Sequence, residues 1–246
     1  MQIVKTEGII IGDTNYSESS KILKILTKDY GLISVISKGC RNLKSKLRSI
    51  SNKLVYANFQ IYYKENGIST LISADIIDTL LNISNSIEKI SFASYLMDLT
   101  HQAYKNSYDG LIYINFIEVL KKINSGFDCE VLTYIYEIKL LDFLGIKPVV
   151  DYCTICGNDK NILTISIKDG GYVCQNCYHS GKIYSSKTIK LIRMFLYVDI
   201  KKITKIDVSK DVKLELEEFI TDYYDEYSGL YLKSRDFLKN LVAISN

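Results

Sequence analysis

Residues 53–77 read KLVYANFQIYYKENGISTLISADII, and their pattern sets the fold class of the first part of the chain. Over 53–63 the side chains alternate. Leu54, Tyr56, Asn58, Gln60 and Tyr62 share one face, and Val55, Ala57, Phe59, Ile61 and Tyr63 share the other. A period of two is the signature of a half-buried strand. Lys64-Glu65-Asn66-Gly67 then supplies turn chemistry, and 68–77 reads as the returning strand. Upstream, 2–12, 21–27 and 31–37 are short, β-branched and separated by turn residues such as Lys28-Asp29-Tyr30-Gly31. Five strands with a long third connection suit an OB-fold barrel, with an SH3-like barrel as the alternative. Tyr56, Phe59, Tyr62 and Tyr63 are candidate stacking platforms for bases, although alternation alone does not say which face is inside.

That third connection, residues 38–53, reads KGCRNLKSKLRSISNK. It carries Lys38, Arg41, Lys44, Lys46, Arg48 and Lys53 and no acid, although the chain as a whole has a net charge of only +3. Unbalanced positive charge on a small barrel is the electrostatic footprint expected for nucleic acid. The bland alternative is a solvated loop. These six residues are the candidate DNA-binding set.

From about residue 81 the apolar period becomes helical. Helices are expected over 84–105 (Ile87, Ile90, Leu96, Leu99, Ala103), 110–123 (Leu111, Ile114, Ile117, Leu120) and 128–144 (Val131, Ile135, Ile138, Leu141, Leu144). Gly145 and Pro148 read as a helix stop. Further helices are expected from Ser185 or Ser186 to about Tyr197, over 209–226, and from near Ser234 to near Val242.

Between these helices lie two C-x-x-C pairs, Cys153/Cys156 and Cys174/Cys177, separated by seventeen residues. This doublet is the sequence form of a tetrahedral four-thiolate zinc site. A redox dithiol needs only one pair. Four thiolates close the coordination shell, so one structural zinc ion is expected. His179 sits too close to Cys177 to replace it comfortably, and His101 lies within a helical pattern. The stretch between the pairs reads as a hairpin turned at Asp169-Gly170-Gly171. The expected organisation is an OB-fold nucleic-acid-binding domain over 1–80 and an α-helical domain over 81–246, interrupted by a zinc-binding insertion at 149–182.

Composition excludes several classes. No segment approaches the roughly 20 apolar residues of a membrane span. No phosphate-binding nucleotide loop, G-x-S-x-G elbow or H-E-x-x-H motif is present. With two histidines, both poorly placed, imidazole general-base catalysis is not expected and the chain reads as no enzyme. Cys40 and Cys129 are isolated, and with four of six cysteines in zinc spacing and no signal peptide a reducing cytoplasm is expected. Two rivals remain at this level: a zinc-ribbon scaffold that binds only protein, and a nuclease built on scattered carboxylates.

The order of parts resembles the RecO family of bacterial recombination mediators. KTEGIIIGDTNYSESSKILKILTKDYGLISVISKGCR (5–41) matches through Thr6-Glu7-Gly8, Glu18, Lys21-Ile22-Leu23, Thr27, Tyr30-Gly31-Leu32 and Lys38-Gly39. YEIKLLDFLGIKPVVDYCTIC (136–156) resembles that family's link into the zinc knuckle. The resemblance implies binding of single- and double-stranded DNA, annealing of complementary strands, and action with RecR at DNA coated by single-strand-binding protein, in recombinational repair at the nucleoid. It also implies capture of the acidic C-terminal tail of single-strand-binding protein on the helical domain. Lys139 and Arg193 are candidates for that contact, against the plainer reading of solvated helix charges.

Overall fold

The computed structural model describes residues 2–104 and 110–230, together with Arg235 and Leu238. The described residues fall mainly into two compact units, Met1–Ser125 and Gly126–Tyr231. The dividing point lies beyond the change from strands to helices near residue 80. The helix expected over 234–242 lies outside the described residues save for Arg235 and Leu238, which are helical.

In the first unit the five expected strands form: β1 (Gln2–Tyr16), β2 (Ser20–Thr27), β3 (Gly31–Ser37), β4 (Tyr56–Tyr63) and β5 (Ser69–Asp78). They close into a barrel of order β1-β2-β3-β5-β4. The long β1 closes it by pairing with two strands, β4 along its first half and β2 along its second. A bulge between Ile10 and Gly12, in the β2 ladder just past the end of the β4 ladder, bends it. Where the two ladders overlap stands Gly8, opposite both Thr27 and Ala57. A Cβ there would lie 2.8 Å from the Leu26 carbonyl oxygen, so only glycine fits. β3 and β5 complete the circuit as a parallel pair, Val35 opposite Ser69 and Ile36 opposite Thr70.

Alternation in β4 is realised with Ala57, Phe59 and Ile61 inside the barrel. They pack with Ile10, Leu23 and Ile25 of the neighbouring strands. At roughly 1.5–3 kcal/mol for each fully buried large apolar side chain, this cluster is the main source of the barrel's stability.

Three helices follow in the same unit: α1 (Leu81–Ser84), α2 (Ile87–Ala103) and α3 (Gly110–Asn124). Ser86 caps α2 by accepting from the Lys89 N–H. α3 is tied to the barrel by Glu7, whose carboxylate accepts from the hydroxyls of Tyr56 and Tyr113, the latter at 2.9 Å. The faces follow the period only in part. Leu96, Leu99, Ala103, Ile117 and Leu120 are buried as expected, whereas Ile87, Ile90, Leu111 and Ile114 are exposed, and α3 also buries Ile112, Tyr113, Phe116 and Ile123. The run LIYINFI at 111–117 is apolar around most of the helix, so period alone does not select its buried face.

The second unit is built on α4 (Cys129–Phe143), buried on nearly every side. Asp128 caps it by accepting from the Val131 N–H. α5 (Ser186–Tyr197) and α6 (Lys210–Tyr227) pack against α4. Ser185 caps α5, and Glu215 of α6 accepts from the Ser185 N–H and the Thr188 hydroxyl. Between α4 and α5 comes a small hairpin, β6 (Ile162–Ser166) and β7 (Gly171–Cys174). Gly171 meets Val149 so closely that a Cβ would lie 2.3 Å from its carbonyl oxygen. The hairpin thereby seats the segment after Pro148, with Tyr172 N–H donating to the Val149 carbonyl at 2.8 Å.

Candidate nucleic-acid interface and metal centre

The connection from β3 to β4 has almost no regular structure, yet it is fixed from within. Ile50 joins the barrel's apolar cluster and Leu47 packs against it, while Cys40 and Leu54 are also buried. The Ser37 and Ser51 hydroxyls meet at 2.8 Å in the interior. Backbone bonds bracket the segment: Arg41 N–H donates to the Ser19 carbonyl (2.8 Å) and Leu54 N–H to the Ile10 carbonyl (2.9 Å). Successive tight turns are closed by Asn42, Ser45 and Arg48 N–H groups donating three residues back. Lys21 of β2 adds a strut. Its ammonium meets Asp13 at 2.9 Å and also donates to the Ser51 carbonyl and Asn52 Oδ1.

With Leu47 and Ile50 directed inward, the basic side chains are left outside, as is Leu43. Lys38, Arg41, Lys44, Lys46, Arg48 and Lys53 are all exposed. Among the described residues none of the six forms an ion pair. The four candidate stacking aromatics divide differently. Phe59 lies fully in the core, Tyr56 is buried against Glu7, and Tyr63 is half-buried with its ring 4.5 Å from that of Tyr30. Only Tyr62, 45% exposed, presents an open face.

The latch around Glu7 carries no sequence signal beyond its place in the Thr6-Glu7-Gly8 match. Burial pushes the Glu7 carboxyl up. The hydrogen bonds from Tyr56 and Tyr113 and the nearby Lys28 and Lys121 ammoniums outweigh it and leave the pKa below the ordinary value. Tyr56 and Tyr113 are raised in turn, by burial and by the same carboxylate.

In the second unit the four cysteines of the doublet meet. The Sγ atoms of Cys153, Cys156, Cys174 and Cys177 all lie within 4.8 Å of one another, with Cys156 and Cys174 at 3.7 Å. A tetrahedral zinc ion with Zn–S distances of about 2.3 Å sets its sulfurs about 3.8 Å apart, so the donor set fits such an ion. Each pair sits on its own tight turn. Gly157 N–H donates to the Cys153 carbonyl (2.8 Å), and Cys177 N–H to the Cys174 carbonyl (3.1 Å). The second turn reaches the first through Cys174 N–H, 3.4 Å from the Cys153 sulfur. Burial pushes the Cys153 thiol up, but N–H groups of Cys174, Cys156 and Ile155 bring it down to about 6. Hydrogen bonds with Cys156 and Cys174 push the Cys177 thiol up to about 12. His179 is exposed and stands outside the cluster.

Lys139 and Arg193 are not brought together in one groove. The Lys139 ammonium donates to the Leu196 carbonyl at 3.1 Å, and burial lowers its pKa. Arg193 lines a cavity of about 760 Å³ beside α5, with Asp151, Ile162, Ile189, Met194 and Tyr197. Lys139 is not part of that lining. The Arg193 guanidinium is held by Asp151 at 2.8 and 3.0 Å.

A closed barrel with an exposed cationic connection, followed by a helical region that gathers four thiols, defines a modular protein with two separate binding features. Comparison with known proteins narrows this class. Residues 1–80 match the family model for the recombination protein O N terminal region, and residues 84–236 match that for its C terminal region. A DNA repair protein RecO of Bacillus pumilus is 32% identical over 249 aligned positions, covering 98% of this chain and 96% of the relative. RecO proteins of Listeria monocytogenes and Halalkalibacterium halodurans are each 34% identical, with the same coverage. The chain belongs to the RecO family of DNA repair proteins. Among the described residues no helix is long and apolar enough to cross a membrane.

Proposed function

We propose that this chain is a recombination mediator that binds single- and double-stranded DNA through residues 38–53 and anneals complementary strands. The observation that carries the reading is the set of six exposed cations on a braced connection, outside any described ion pair. The strand order β1-β2-β3-β5-β4, with its parallel β3–β5 closure, supports assignment of the barrel to the OB type, a recurrent single-strand binder. Neutralising phosphates on two strands lowers the repulsion that keeps them apart. Pairing and stacking then drive annealing with no bond made or broken in the backbone, so the reading calls for no enzymatic centre. The partners are those of the family, RecR and DNA coated by single-strand-binding protein, in the cytoplasm at the nucleoid. Arg193 and its cavity are the more accessible candidate for the acidic tail. The four cysteines hold one zinc ion whose role is structural.

The test is to replace Arg41, Lys44, Lys46 and Arg48 together by Glu. Fluorescence anisotropy with a labelled single strand should show binding weakened at least about 100-fold, and annealing of complementary oligonucleotides should fall with it. Wild-type affinity in that variant would overturn the placement. Cleavage of labelled DNA with magnesium or manganese would instead favour a nuclease, and no gel shift by the wild-type chain would favour a protein-only scaffold.

A further inference from the structure

The six cations of the connection are not equivalent. Beneath the segment lies a cavity of about 220 Å³ lined by Lys21, Cys40, Arg41, Arg48, Ser51 and Asn52. Both arginines of the connection face it, and none of its four lysines does. The chain otherwise uses lysine almost throughout. Of its 31 basic residues only Arg41, Arg48, Arg193 and Arg235 are arginine, so half of all the arginines line one small cavity. Lysine supplies a mobile point charge. Arginine supplies a planar fork of donors that matches the oxygens of a phosphate two at a time. In a lysine-rich chain, two arginines on one cavity mark a place where fork geometry matters.

The rest of the lining suits the same ligand. The cavity exceeds several waters in volume, at about 30 Å³ each in the liquid, and so admits a small anion. Among the described residues no carboxylate lines it. Asp13 is engaged by Lys21. The Lys21 ammonium is committed to Asp13, Ser51 and Asn52, so it fixes the floor and leaves the grip to the arginines. Arg41 is oriented as it donates to the Ser17 carbonyl at 3.3 Å, which uses one of its five donors. Backbone bonds from Arg41 and Arg48 pin both Cα positions.

We propose that this cavity is a phosphate seat that takes one phosphodiester of a DNA strand between the Arg41 and Arg48 guanidiniums, while Lys38, Lys44, Lys46 and Lys53 attract the flanking backbone without fixed geometry. The seat sets the register in which the strand crosses the barrel. It rests on the reading of residues 38–53 as the DNA-binding segment and adds to it a site with defined ligands.

The test keeps the charge and removes the forks. Arg41→Lys with Arg48→Lys leaves the connection's net charge unchanged, and both side chains are exposed, so the fold should hold; a thermal melt checks this. Anisotropy with a fluorescein-labelled oligothymidylate, at several salt concentrations, should show affinity lowered about tenfold with the slope of log affinity against log salt unchanged. Lys44→Gln with Lys46→Gln should instead flatten that slope. If the Arg→Lys pair binds as wild type does, the seat is wrong, while charge-driven binding by the connection still stands. If the wild-type chain itself binds no DNA, both the seat and the reading beneath it fall.

Discussion

The connection of residues 38–53 and the cysteine module of residues 149–182 are both mostly irregular, and they are held in opposite ways. The connection directs Leu47 and Ile50 into the barrel and leaves its distinctive residues, the cations, in solvent. The module turns its distinctive residues toward one another. Its four thiols meet one another, and Cys153 and Cys174 are among its most buried side chains. Residues that point outward can serve a partner, and residues consumed in a closed cluster serve the module itself. Stability and binding should therefore separate between the two regions.

The largest expected effect tests the inward half of that contrast. On the proposed zinc site, Cys153→Ser removes one of four ligands. Binding of zinc is worth on the order of 10 kcal/mol in isolated peptides, so the second unit should lose several kcal/mol and most of its bound metal. Metal content and a thermal melt read this. DNA binding measured well below the new melting point should remain near wild type. A fully stable variant that had lost DNA binding would place the DNA contact in the module and reverse the comparison.

Next comes the anchor of the connection. Ile50→Ala should cost about 2–4 kcal/mol, because Ile50 is 8% exposed within the barrel cluster. Lys44→Ala, at an exposed position, should stay within about 0.5 kcal/mol. Urea unfolding of both variants compares them directly. Equal and small losses would mean that the connection does not depend on its apolar side chains.

This anchoring was not legible in the sequence, and the reason is physical. A strand or helix announces its buried face by period. Phe59 and Ile61 could be placed on one face of β4 for that reason, and β3 emerged with the expected ends at 31 and 37. Leu47 and Ile50 lie in a run of turns where no period exists, so charge dominated the reading and the segment looked merely polar. The cysteine doublet was legible because metal chemistry fixes ligand spacing locally. The Glu7–Tyr113 contact spans 106 residues, and no local signal marks it. Lys139 shows the same limit from the other side: a helical period does not reveal that tertiary packing turns this cation onto the Leu196 carbonyl.

The Glu7 latch gives a smaller, pH-dependent effect. Tyr113→Phe removes one hydrogen bond to a carboxylate and should cost about 1.5–3 kcal/mol at neutral pH. The sign with pH follows from the lowered Glu7 pKa. A carboxyl held below its unfolded value contributes stability above that value and loses it as pH falls through the folded one. The penalty of Tyr113→Phe should therefore shrink in acid, as Glu7 protonates in both proteins. Denaturant unfolding of the two proteins at neutral pH and at about pH 3 checks this, since an unperturbed glutamate titrates near 4.3. A penalty that is constant down to that pH would show that the charged form of Glu7 is not what the tyrosines stabilise.

The smallest effect concerns Arg193, the arginine that lines the cavity beside α5. Arg193 differs from the cations of the connection because its charge is already answered. Asp151 accepts from it twice, and Tyr197 donates to the same carboxylate at 2.7 Å. Those contacts, Tyr197 first and then Arg193, hold the Asp151 carboxyl below its usual range, so it stays charged well into acid. An acidic peptide tail that docks on Arg193 must compete with this internal carboxylate. Asp151→Asn removes the competitor and keeps the shape, and should tighten binding of an acidic peptide a few-fold, read by anisotropy with the peptide labelled. Stability should barely move, since the pair is exposed. DNA binding by the first unit should not change at all. Unaltered peptide affinity would remove Arg193 from the tail contact and leave its pair with Asp151 as a tie between the segment after Pro148 and α5.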